Sequence, residues 1–335
     1  MIGASAFAQA PAISPQGVQD AASYGTSLVP GGIFVVKGAN LSNAGTRQSS
    51  LPLPTILDGV KITFTAASGG TGVDAFMIYT FFASGVNQIA GLLPSSVAPG
   101  NYNVTVTFNG QVSVPAAVTV VNRKFGLITV NSSGAGRAVV QNFVSPSQLD
   151  LNRFTTGQIA GFIISPAKPG QVLIAWGTGL GAIQRPDNEA PGAVDLRSQV
   201  DVKVLVGNST VTPSYAGRAP SLPGADQINF QLPADVQTGC NVPIQISVGG
   251  VLSNPATLAI APAGAVSCVQ PFIGPDVLTR LDSGQTVASG IFALSSFAVN
   301  VTFPLLGSID AKTEQITGTF ARFSADQLAD TTGFL

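Results

Sequence analysis

The side chains best suited to chemistry are few in this sequence, and one type is missing altogether. With no histidine, the chain can assemble neither a Ser-His-Asp nor a Cys-His relay, nor any metal site that needs an imidazole. Lysine can replace histidine as the base beside a serine, yet Lys37, Lys61, Lys124, Lys168, Lys203 and Lys312 show no Ser-x-x-Lys spacing. Glu189 and Glu314 are the only glutamates, and Asp58, Asp187 and Asp276 sit beside Gly or Pro, which suits turns better than the paired carboxylates of a glycosidase. Asp187, Glu189 and Asp195 crowd one loop where oxygen ligands could gather calcium, but their spacing matches no calcium loop, and a solvated turn is the reading. Gly177-Thr178-Gly179-Leu180-Gly181 offers backbone amides to a phosphate only if a helix follows, and Ala182 to Gly192 has two prolines and no helical period. Trp176, Tyr215 and Arg218 remain as a candidate ligand surface. Aromatic faces stack on sugar rings and Arg supplies hydrogen bonds, against the alternative that Trp176 is a core residue. No catalytic, cofactor-binding or metal-binding residue is expected, and no cofactor.

The elements that carry these residues are duplicated. Val29-Pro30-Gly31-Gly32 with the apolar run Ile33 to Val36 and Gly38 lies over Lys168-Pro169-Gly170-Gln171 with Val172 to Ala175 and Gly177. The same offset carries Asn87-Gln88-Ile89 with Leu93-Pro94 onto Asp226-Gln227-Ile228 with Leu232-Pro233. After Gly100 one residue is inserted, so Asn109-Gly110 and Pro115 fall on Gly249-Gly250 and Pro255. Each copy reads as short strands. Val200, Val202, Val204 and Val206 alternate, as do Tyr102, Val104, Val106 and Phe108, which run into Asn109-Gly110, a strong hairpin signal. About seven such strands per hundred residues predict an immunoglobulin-like sandwich.

Pro169 to Gly181, Asp226 to Pro233, Gly239 to Pro243 and Val248 to Asn254 resemble the paired Ig-like (IPT/TIG-related) domains of uncharacterised exported acidobacterial proteins. The likeness spans residues 14 to 268 and is more specific in the second copy; the first has Ala90 in place of Asn229 and lacks cysteines. The resemblance implies an extracellular β-sandwich module and carries over no catalytic residues.

Composition agrees with this class. At 9% charged against 45% hydrophobic, and a net charge of -1, the chain has no basic field to draw nucleic acid. No apolar run reaches the length of a spanning helix. Ala6-Phe7-Ala8 fits a signal-peptidase site, although no basic segment precedes it. Cys240 and Cys268 suit one disulfide in an oxidising compartment, with two buried thiols as the alternative. The expectation is therefore all-β: a signal-peptide remnant at 1–8, tandem Ig-like sandwiches at 14–122 and 123–268, and a smaller β-rich C-terminal segment at 269–335. In that segment Leu278 to Gly284 reads as a helical turn and Val299, Val301 and Phe303 share a strand face. A non-catalytic structural or adhesive protein, extracellular or at the cell surface, is the functional expectation, with a carbohydrate-binding accessory module as the rival. The partner is open: a protein, a cell-surface glycan, or a second copy joined through strand edges.

Overall fold

The computed structural model of the chain describes residues 9–271, 273–303 and 307–330. The signal-peptide reading of residues 1–8 lies outside them. The fold is all-β, two immunoglobulin-like sandwiches in tandem followed by a helix, a long two-stranded ribbon and a second short helix. Among the described residues no helix is long and apolar enough to cross a membrane.

In the first sandwich one sheet runs in the order Ala12–Asp20, Ile33–Ala39, Val86–Leu92, Phe76–Ala83, Gly45–Gln48. The facing sheet runs Ser27–Leu28, Ala116–Val120, Gly100–Phe108, Val60–Ala66, Val73–Asp74, with Gln111–Val112 added to Gly100–Phe108. Side chains alternate across a strand, so Val60, Ile62 and Phe64 turn inward, as do Val104 and Val106, onto Phe34, Val36 and Ile89. Phe34 meets Phe64 edge to face at 5.2 Å. The Asn-Gly signal forms the expected hairpin: Asn109 and Gly110 have φ of 48° and 78°, and Gly249 and Gly250 repeat it at 57° and 84°. The returning strand is interrupted in both copies. Ser113 Oγ accepts from Val106 N at 3.0 Å and Ser253 Oγ from Ile246 N at 2.9 Å, filling the ladder gap before the prolines.

The duplication holds at the level of single pairs. Ile33↔Leu92 through Lys37↔Gln88 corresponds to Val172↔Gln231 through Trp176↔Gln227, and Val104↔Ala116 to Ile244↔Ala256. The inserted residue is absorbed by a bulge between Gly239 and Val242, which has no counterpart in the first copy. In the second sandwich Val140–Ser145 takes the place of Ala12–Asp20, and Gln148–Asn152, Phe162–Ser165 and Gly157–Ile159 widen the sheet beyond it, with no equivalent in the first.

Beyond the sandwiches, a satellite core joins Cys240, Cys268, Phe154 and Ala259 to Leu278 and Leu281 of the helix Pro275–Asp282, to Val287, and to Ala325 and Leu328 of the second helix. Cys240 and Cys268 are disulfide-bonded. The bond therefore sits in this foot and not among the core residues between the two sheets. Asp282 accepts from Thr155 N at 2.9 Å and Thr155 Oγ1 at 3.0 Å, while Arg137 bridges Asp282 and Asp326 at 3.3 Å each. From the foot rise Val287–Phe303 and Gly307–Phe323, paired only with each other.

Candidate functional site

The three residues of the expected ligand surface do not share one environment. Arg218 is a correction. It is 1% exposed and lies between the two sandwiches, because a strand-end guanidinium can leave water only where acceptors replace it. It pairs with the fully buried Asp226 and donates through Nη2 to Gly31 O at 2.8 Å and Gly181 O at 2.6 Å. Gly31 belongs to the first sandwich and Gly181 to the second, so one side chain closes the junction from both sides.

Further polar groups complete that closure. Thr178 Oγ1 donates to Gly224 O at 2.8 Å and accepts from Ile33 N at 2.9 Å. Asp187 accepts from Ser95 N and Ser95 Oγ, both at 2.7 Å, and Ile183 N donates to the same Oγ at 3.1 Å. Leu53 N donates to Asn188 O at 2.7 Å. Gly31 has φ of 72°, and a Cβ there would stand 2.3 Å from Arg218 Nη2, so glycine is required both by the backbone and by the guanidinium.

The glycine-rich turn does hold an anion, but an internal one. Leu180 N donates to Asp226 Oδ2 at 2.7 Å, and no helix follows. Burial raises the Asp226 carboxyl above its ordinary range, opposed by Arg218 and by the amides of Leu180 and Gly179. Asp187, Glu189 and Asp195 are not brought together: Asp187 caps Ser95, Asp195 pairs with Arg197 at 2.7 Å, and Glu189 is exposed. Arg197 holds the Asp195 carboxyl below the usual range. Among the described residues no cluster of three metal-ligating side chains forms.

Trp176 and Tyr215 do share a face. Leu173, Ala175, Ile228, Phe230 and Ala216 point into the core, so alternation turns Ile174, Trp176, Gln227, Asn229 and Tyr215 outward. Trp176 stands opposite Gln227 and Tyr215 opposite Asn229. Strand and residue spacings separate the two rings by about 10–12 Å, with amides between them. Both are half-buried. Trp176 Nε1 donates to Gln141 Oε1 at 2.9 Å, Tyr215 OH donates to Arg218 O at 2.5 Å, and Gln227 Nε2 donates to Asn229 Oδ1 at 2.8 Å. Burial pushes the Tyr215 hydroxyl upward, so it stays a neutral donor. Phe143 and Leu149, paired across the widened sheet, extend this face as an apolar margin at 39% and 40% exposed.

The sequence reading missed Asp226, Ser95, Thr178 and Asp187 as a set. The signal was a difference between copies: Asp226 replaces Asn87, whose strand partner is Phe82 and not an arginine, and Ser95 occupies the place of Ala234.

No protein-family profile and no curated protein matches the chain. Among solved structures it is similar to SGBP-B of the Bacteroides ovatus mixed-linkage glucan utilization locus, solved with a mixed-linkage heptasaccharide. That likeness has 10% identity, 92% of this chain and 70% of that one covered, and a TM-score of 0.30. It is also similar to titin A168–A169 (11% identity, 76% and 100% covered, TM-score 0.17) and to chicken CNTN1 FN1–FN3 (8%, 93% and 88%, TM-score 0.18). At these scores the likeness bears on neither ligand nor partner.

Proposed function

We propose that this chain is a non-catalytic structural or adhesive protein of the extracellular surface, a stiffened pair of Ig-like sandwiches that holds an outer sheet face toward a partner. One observation carries the reading. The groups best equipped for chemistry (Arg218, Asp226, Asp187, Ser95 and Thr178) are consumed in closing the junction, where they fix one sandwich on the other instead of facing a substrate. The disulfide suits an oxidising compartment, and the motifs in the second copy suit membership of the paired exported family they resemble. A second reading, a carbohydrate-binding accessory module, is favoured by the Trp176–Tyr215 face with its intervening amides, because rings and amides are the groups that hold sugars.

A glycan array and a cell-wall pull-down, run with the intact chain and with Trp176→Ala, decide between the two. Cell-surface protein captured equally by both forms supports the structural reading. Glycan binding by the intact chain, weakened at least about fivefold in the variant, one ring contact being worth about 1 kcal/mol or more, makes the sheet face a sugar platform instead.

A further inference from the structure

The terminal ribbon has a surface that neither sandwich accounts for. Its strands are 17 residues each, so at about 3.3 Å per residue it extends more than about 50 Å, and a lone pair of strands is marginal in water. Near the foot, one face of it carries Phe292, Leu294, Ile316 and Phe320, which are 60%, 77%, 71% and 72% exposed. Register explains how these side chains come to share one surface. Gly290 stands opposite Phe320 and Gly318 opposite Phe292, and each ring lies over the glycine across from it. A Cβ on Gly290 would be 2.8 Å from the Phe320 ring, and the two rings meet edge to face at 5.4 Å. Toward the tip the same face turns polar, with Ser296, Asn300, Asp310 and Lys312.

The platform is flanked by charges of opposite sign. Glu314 stands as far from Gly318 toward the tip as Arg322 does toward the foot, on the same strand and the same face. Glu314 holds Lys312 at 2.6 Å through Oε1, leaving its other oxygen unused by that bridge.

We propose that this platform is a self-association surface, covered by the same platform of a second copy of this chain with the two ribbons face to face and antiparallel. A two-fold axis at the level of Gly318 lays platform on platform and sets Arg322 of each copy over Glu314 of the other. Parallel ribbons would set Arg322 over Ala288 and Glu314 over Ser296, with no charge complementarity. The four side chains offer roughly 500 Å² per copy, so the pair buries about 1,000 Å² before the flanking residues bring it to the size of a stable interface. Self-complementarity of this kind is what a closed two-fold dimer requires.

Light scattering on the size-exclusion-purified intact chain, over a wide concentration range, tests this. The expected mass is twice 33.9 kDa. Phe320→Ser gives a monomer with unchanged circular dichroism, since the ring lies outside every core cluster. Arg322→Glu and Glu314→Arg each weaken the dimer on the order of tenfold, because two symmetric ion pairs become two repulsions. Carried together they restore it, which loss of folding cannot imitate. An intact chain that is monomeric at every concentration overturns the inference, as does a double exchange that stays weak. So does a monomer that floats with phosphatidylcholine vesicles, which would assign the platform to a membrane. The inference goes beyond the proposed function, and each of these readouts is independent of Trp176 and of any glycan.

Discussion

Replacing Arg218 by methionine tests the junction most directly, because methionine keeps much of the volume and removes only the charge and its donors. Arg218 neutralises Asp226 and donates to Gly31 O and Gly181 O, all without access to water. Removing one partner of a buried ion pair costs about 3–5 kcal/mol, since the other charge stays in a medium that cannot solvate it. Asp226 keeps the amide of Leu180 at 2.7 Å and can take up a proton, which places the expected loss near the lower bound, about 3 kcal/mol. For a body of this size that lowers the melting temperature by about 6–12 °C. The same substitution frees Gly31 O, so the two sandwiches lose a shared donor and small-angle scattering should report a broader distribution of inter-sandwich angles. Adding Asp226→Asn supplies a neutral acceptor for Leu180 N and should recover more than half of the loss in urea denaturation. A single variant that loses less than about 1 kcal/mol, or a double variant no more stable than the single, would refute the account of Arg218 as a paired charge.

Two other expectations concern the foot. Cys268→Ser should cost about 3 kcal/mol locally and expose the segment after residue 268 to protease while both sandwiches persist; fragment masses that show the second sandwich digested as quickly would contradict the placement of the disulfide outside its main core. Burial raises the Asp282 carboxyl above its ordinary range, against the pull of Thr155, Phe154 N and Arg137, so the folded chain keeps that proton to higher pH than the unfolded chain does. Its contribution to stability is then complete below about pH 4 and declines as pH rises through the folded value, so the melting-temperature advantage over Asp282→Asn should shrink as pH rises above about 4; an advantage that grows with pH would reverse the sign assigned here.

Much of the architecture could be read from residue order because duplication repeats its own evidence. Pro30 with Pro169 and Gln88 with Gln227 mark equivalent strands, and those strands pair in the same register in both copies. Asn109-Gly110 set its hairpin through the positive φ that both residues adopt. The C-terminal segment was legible as β-rich by alternation, and Val299 and Val301 lie on one face of its first strand. Gln148 to Ser165 was not read, since an extension found in one copy has no repeat to reveal it. Trp176 and Tyr215 share one sheet face, whereas Arg218 is buried at the junction. A lone arginine in a strand looks solvent-facing until its acceptors are known, and two of those acceptors are carbonyls of Gly31 and Gly181, distant in sequence.

The differences between the copies are concentrated where the second one meets another body. At one end Asp226, with Arg218 beside it, turns a sandwich edge into a socket for Gly31, while Asp187 takes Ser95; the first copy, with Asn87 opposite Phe82, has no such socket. At the other end the residue inserted between Gly239 and Val242 breaks the alternation of its strand. Gly239 pairs with Ile260 and Val242 with Leu258, both inward, so two residues stand between them and both serve the foot: Cys240 bonds Cys268, and Asn241 Nδ2 donates to Leu328 O at 3.0 Å. In the first copy the single residue between the two inward pairs, Asn101, already faces outward and is exposed, so alternation turns one residue away from the core there and the bulge adds a second. One bulge and one buried ion pair therefore convert a repeated unit into a connector, fixed to the first sandwich at one end and to the ribbon's foot at the other.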